Sequence, residues 1–172
     1  LVAKLEYNAD IATLAAFYRL NYFTSSDLVN IAVQRLSSDD VTPALCRLAA
    51  ENKPTMSEVG SFFETWISDH GLSIPTVAEA RFTAAQFFAR QILSGNLSPY
   101  DGAIEIIQRV GFDLVDGEIF GELIGATSEI DDLVIRYPDD TTLAHSHIVL
   151  FEAQIRGVAE RIVNASTFEL LL

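Results

Sequence analysis

Apolar residues recur along this chain at three- and four-residue intervals, and the breaks between the runs carry helix-end residues. Thr55-Met56-Ser57-Glu58 reads as a capping box, with a hydroxyl for the third amide and a carboxylate reaching back. Val59, Phe62, Phe63, Trp66 and Ile67 follow at helical spacing, and Gly71 is placed to end that helix. A second helix is expected from near Ser73-Ile74-Pro75, through Ala84, Phe87, Phe88 and Ile92, to Gly95. In the third, Ser98 caps, Pro99 takes the first helical position, Asp101 complements the helix dipole and Gly111 terminates.

Upstream, Asn8 or Asp10 opens a helix through Leu14, Phe17 and Tyr18, and Ser25-Ser26-Asp27 opens another through Leu28, Ile31, Ala32 and Leu36. Asp39 or Asp40 is expected to cap a short helix with Pro43 in its first turn and Leu45, Leu48 and Ala49 along it. Downstream, one long helix runs from Gly117 to Tyr137 and is halted by Pro138, and a last one runs from about Thr141 to Phe168, with Gly157 as a candidate kink. No β alternation or hairpin dipeptide interrupts the series. The pattern predicts an all-α fold, an irregular bundle of about eight helices in a single domain over residues 1–172. The starts at Thr55 and Ser98 lie 43 residues apart, which leaves stacked helical hairpins as the alternative arrangement.

Charge narrows the function. With 24 acidic residues against 11 Lys and Arg, the net charge of −13 argues against nucleic-acid binding, which needs cations to neutralise phosphates. A hydrophobic content of 49% argues against disorder despite that charge. The single cysteine excludes a disulfide framework and a cysteine-cluster metal site, and Cys46, among Ala44, Leu45 and Leu48, is expected to be buried and reduced. Leu1–Asn8 contain no apolar signal core and no stretch matches a membrane span, so a cytoplasmic protein with no membrane partner is expected.

The densest asymmetry lies between Arg109 and Arg136, where seven acids occur and no base. On a helix advancing about 100° per residue, with Glu118 at zero, Glu122 falls near 40°, Glu129 near 20° and Asp132 near −40°. Ile119, Leu123, Ile130, Leu133 and Val134 fall between about 60° and 160°, so one face is expected to be core-directed and the opposite one to carry a ridge of carboxylates. Gly117, Gly121 and Gly125 flank the ridge at four-residue intervals. An interior glycine costs about 1 kcal/mol relative to alanine, which a close-packed neighbour or a partner backbone would offset. The ridge of Glu118, Glu122, Gly125, Glu129 and Asp132 is therefore the candidate binding surface for a cationic protein, set against the plain reading of a solvated face.

Candidate chemistry is sparse. His145-Ser146-His147 beside Asp139 and Asp140 resembles a metal pair, but residues two apart on a helix point about 200° from one another. His70 before Gly71 suits a helix C-terminus as a cation. Glu118 with Glu122 has the spacing of an acid–base pair and equally that of any polar helix face. Phosphate-binding glycine loops, Gly-x-Ser-x-Gly and Glu-x-x-His motifs are all lacking. Phe62, Phe63, Trp66, Phe82, Phe87 and Phe88 read as core. No catalytic residue, cofactor or metal is assigned, and a binding protein is expected rather than an enzyme.

Tyr22-Phe23-Thr24-Ser25-Ser26-Asp27-Leu28, Pro43-Ala44-Leu45-x-x-Leu48-Ala49 and Glu58-Val59 together resemble an uncharacterised family of small all-helical bacterial proteins. The stretch from Ala89-Arg90-Gln91-Ile92 through Ser98-Pro99-Tyr100-Asp101-Gly102-Ala103 is similar to another recurrent motif of bacterial proteins with no assigned activity. The resemblance covers about residues 20–130, rests on core and capping positions, and carries no functional residue with it. It implies an immunity-like protein that neutralises a toxin, a role that suits an acidic partner for a basic nuclease. The alternatives are a homo-oligomeric structural protein with Gly121 and Gly125 at a helix contact, and a metal-assisted hydrolase using His145, His147 and nearby carboxylates.

Overall fold

The computed structural model describes residues 7–38, 40–110, 117–137 and 141–165, with the side chains of 117 and 141–144 left aside. Among the described residues there are eight helices and no strand. They are α1 (Ile11–Arg19), α2 (Ser25–Leu36), α3 (Pro43–Ala49), α4 (Met56–Asp69), α5 (Val77–Leu93), α6 (Pro99–Val110), α7 (Gly117–Arg136) and α8 (Thr141–Asn164). The expected all-α class is the class observed. The chain divides into two compact units, residues 1–80 and 81–172.

In the first unit, α2, α3 and α4 pack on one another around Leu28, Ile31, Leu45, Leu48, Val59, Phe63, Trp66 and Ile67, all fully buried. Aromatic rings extend this core: Phe17 meets Phe23 edge-on at 6.0 Å, and Phe63 lies 5.0 Å from Tyr18 and 5.3 Å from Trp66. Gly60 of α4 sits against Tyr18, where an added Cβ would lie 2.7 Å from the phenolic oxygen.

The second unit packs α6, α7 and α8 on one another, with Ile106, Phe120, Leu123, Ile155, Val158 and Ile162 buried. Gly102 of α6 lets Ile92 of α5 approach so closely that an added Cβ would meet its Cγ1 at 2.3 Å. Two long side chains close helix ends here. Arg156 of α8 donates to the Ile92 carbonyl at 3.3 Å, and Gln86 of α5 donates to the Val163 carbonyl at 3.3 Å. Both carbonyls belong to last turns, and that of Ile92 also accepts from the Gly95 amide at 3.2 Å.

Three helices stop in the same way. Asn21, Gly71 and Gly95 each take positive φ (59°, 73° and 76°) just past α1, α4 and α5. In each case the next amide returns to a carbonyl five residues back: Tyr22 to Phe17, Leu72 to Ile67 and Asn96 to Gln91, at 3.0–3.2 Å. These are Schellman ends, which need a residue tolerant of the left-handed region.

Several starts differ from expectation by a residue or two. Thr24, rather than Ser25 or Ser26, caps α2 in a complete box with Asp27. Thr42 caps α3, accepting from the Leu45 amide at 3.2 Å, while Asp40 is drawn elsewhere; Asp39 lies outside the described residues. Thr76 with Glu79 forms the box that opens α5, beyond Ser73-Ile74-Pro75. The box at Thr55 is half made: its hydroxyl donates to Glu58 at 2.6 Å, and no side-chain bond caps the backbone. Asp10 and Ser98 cap as expected. The stops at Gly111 and Pro138 and the end near Phe168 lie outside the described residues, and α8 continues through Gly157.

Candidate functional site

Helix α7 is amphipathic, and one side of it forms core: Ile119, Phe120, Leu123, Ala126, Ile130 and Leu133 are all buried. Its buried stripe faces α6 and α8. Away from that stripe Glu118, Glu129 and Asp132 are exposed, as are Gly121 and Gly125, and Asp131 is exposed on a different flank. Glu122 differs, being half-buried and ion-paired with Arg161 of α8 at 2.5 Å. The long last helix thus engages Glu122 of the ridge, while Glu129 and Asp132 are exposed.

Among the described residues the glycines do not mark a close contact. An added Cβ at Gly121 or Gly125 would meet nothing within 4 Å among the described residues. Val134 also departs from expectation. It continues the apolar stripe of α7 yet is 57% exposed, and Ile135 beside it is 77% exposed.

That exposure belongs to an open groove of about 600 Å³, lined by Tyr100 of α6, Ile130, Asp131, Val134 and Ile135 of α7, and Ile148 and Glu152 of α8. The Tyr100 hydroxyl donates to Asp131 Oδ1 at 2.6 Å across its rim. This bond, then burial and the charges of Asp131 and Asp101, raises the pKa of Tyr100. The groove was not foreseen, because the apolar pattern marks Val134 as core and gives no sign of where neighbours run out.

His145 and His147 are exposed on α8, and among the described residues no three His, Cys, Asp or Glu come together as a metal site. Asp139 and Asp140 lie outside those residues. His70 ends α4 as expected, but in a cluster that sequence reasoning missed: Nδ1 lies 3.0 Å from the Trp66 carbonyl and Nε2 3.3 Å from Asp40. Asp40 also accepts from the Trp66 indole at 3.2 Å. Cys46, expected to be buried, is exposed and free, because α3 turns Ala44, Leu45 and Leu48 inward and Cys46 to the opposite side. Phe62 and Phe82 are partly exposed, whereas Phe63, Trp66, Phe87 and Phe88 are core.

Among the described residues no helix is long and apolar enough to cross a membrane. No known protein family, no curated protein and no solved structure matches this chain.

Proposed function

We propose that this chain is a non-enzymatic protein-binding module whose acidic face on α7 receives a cationic protein, in the manner of an immunity-like protein that neutralises a basic toxin. The observation that carries the reading is the exposure of Glu118, Glu129 and Asp132 on one side of a single helix. Carboxylates fixed on a helix present their field without the entropy cost of ordering a loop, and such a field raises encounter rates with basic surfaces. Gly121 and Gly125 leave low ground between the acids, where long Lys or Arg side chains can lie along the helix. Cytoplasmic residence is part of the proposal, since the single cysteine is free and exposed, a state that suits a reducing compartment.

The test is affinity for a panel of purified basic nucleases, comparing the wild type with Glu129→Lys plus Asp132→Lys. Both side chains are exposed, so the fold is retained, and circular dichroism checks it. The reading expects at least one nuclease whose binding weakens about tenfold or more in the double variant, as reversal of rim charges at a complementary interface does. Binding unchanged by the reversal removes the ridge from the interface.

A second reading, a homo-oligomer joined through α7, draws support from the open ground over Gly121 and Gly125, which permits close helix approach. A monomeric mass by light scattering at high concentration disposes of it.

A further inference from the structure

We propose that the groove between α7 and α8 is a docking slot for an amphipathic helix of a basic protein, with apolar side chains set on Ile130, Val134 and Ile148 and Lys or Arg against Asp131 and Glu152. The apolar stripe of α7 passes from buried (Ile130, 6% exposed) to open (Val134, 57%) within one turn, so the core pattern continues past the point where the described residues cover it. Two helices wall the resulting trough, the geometry in which a third helix lays an apolar face. Its volume of about 600 Å³ accommodates large side chains.

Charge selects the occupant. Asp131 stands on one wall and Glu152 on the other, and among the described residues no Lys or Arg lines the groove. Tyr100 engages Oδ1 of Asp131, leaving Oδ2 for an incoming cation. A second copy of this chain would bring further carboxylates and another −13 of charge against the same rim, which like-charge repulsion opposes. A basic helix meets complementary charge there.

The slot does not depend on the acidic ridge. With Glu118 at zero, the ridge centres near 0°, whereas Ile130, Val134, Asp131 and Ile135 fall at about 120°, 160°, 220° and 260°. The two surfaces occupy different flanks of α7 and can be altered separately.

The experiment titrates the full chain, with methyl groups labelled for NMR, against a synthetic Leu/Lys amphipathic helical peptide and a Gln/Lys peptide of equal charge. The expected result is movement of the Ile130, Val134, Ile135 and Ile148 methyl signals by the Leu/Lys peptide. The Gln/Lys peptide binds at least about tenfold more weakly, because it lacks apolar surface to bury. Val134→Asn plus Ile135→Asn, and separately Asp131→Asn plus Glu152→Gln, each weaken the Leu/Lys peptide by about tenfold, while Glu129→Gln plus Asp132→Asn stays within about twofold. Unmoved groove methyl signals, or equal binding of both peptides, overturn the proposal. So does loss of binding in the ridge variant alone, which assigns the peptide to the ridge and leaves that reading standing. A concentration-dependent dimer abolished by Val134→Asn plus Ile135→Asn also overturns it, in favour of a second copy.

Discussion

Arg161 of α8 and Glu122 of α7 form an ion pair at 2.5 Å, and this pair sets Glu122 apart from Glu129 and Asp132 on the acidic face of α7. Glu122 is committed to the fold, while Glu129 and Asp132, two and three turns further along, stand in water. Both members of the pair are partly exposed, at 32% and 44%. Glu122→Gln is therefore expected to lower stability by about 0–1 kcal/mol, the range of solvent-screened pairs. Glu129→Gln and Asp132→Asn are expected to leave stability unchanged or slightly raised, since each removes a charge from a crowded acidic surface. Urea unfolding midpoints of the three variants check this order.

Glycines inside α6 and α7 are of two kinds. Gly102→Ala places a methyl group 2.3 Å from Ile92 Cγ1 and 2.6 Å from its Cδ1, in a buried contact. Overpacking of this sort costs about 1–3 kcal/mol and outweighs the helix propensity that alanine gains. Gly121→Ala and Gly125→Ala meet open space and are expected to stabilise α7 by about 0.5–1 kcal/mol each. Thermal unfolding of the three single variants should move in these opposite directions. A loss of stability in Gly121→Ala that depends on protein concentration would instead speak for the helix contact of the homo-oligomer.

Tyr18 gives the first unit an alkaline limit. Burial, then the hydrogen bond its hydroxyl donates to Glu64 and the charge of that carboxylate, push its pKa from 10.0 to about 12. A group with a raised folded-state pKa contributes stability that is complete below its unfolded value and is lost as pH rises through the folded value. The contribution of Tyr18 is thus present below pH 10 and disappears toward pH 12. Absorbance titration of tyrosinate should show a late step near pH 12 that is missing in Tyr18→Phe and shifted downward in Glu64→Gln.

At the acid end, Asp27 acts in the opposite sense. Burial raises its pKa, but hydrogen bonds from the Thr24 hydroxyl, the Tyr7 hydroxyl and the Thr24 amide outweigh it, and the carboxyl is held below its ordinary 3.8. A depressed folded-state pKa contributes stability that is present above the unfolded value and is lost as pH falls through the folded one. Asp27→Asn should therefore unfold at lower urea concentration than the wild type at neutral pH, with the difference closing as pH drops below 3.8. A constant difference across that range would show that the cost lies in the capping geometry rather than in the charge.

Local pattern carries the helices well and their surroundings poorly. The 3.6-residue period and the stops at Gly71 and Gly95 are visible because each depends on residues within one turn. The start of α2 is displaced because Thr24, Ser25 and Ser26 are all competent caps, and only Thr24 has Asp27 at the third position to complete the box. Asp40 looked like a cap and serves instead as acceptor for Trp66, 26 residues away, a pairing no local pattern contains. The same holds for the acidic face. Its angular arrangement follows from spacing, whereas the half-burial of Glu122 depends on Arg161, 39 residues later. Val134 continues an apolar stripe, so its openness follows from how far α6 and α8 reach along α7, which periodicity does not encode.

The most direct test of the acidic face as the partner surface is the association rate with a captured basic nuclease, followed across ionic strength for the wild type and for Glu129→Gln plus Asp132→Asn. Charges more than about 10 Å apart are screened at 0.1 M salt, so steering by this face must fade over that range. The account predicts a wild-type rate that falls steeply with salt, and a double variant that starts slower and falls less steeply. Identical rates and identical salt dependence in the two proteins would contradict it.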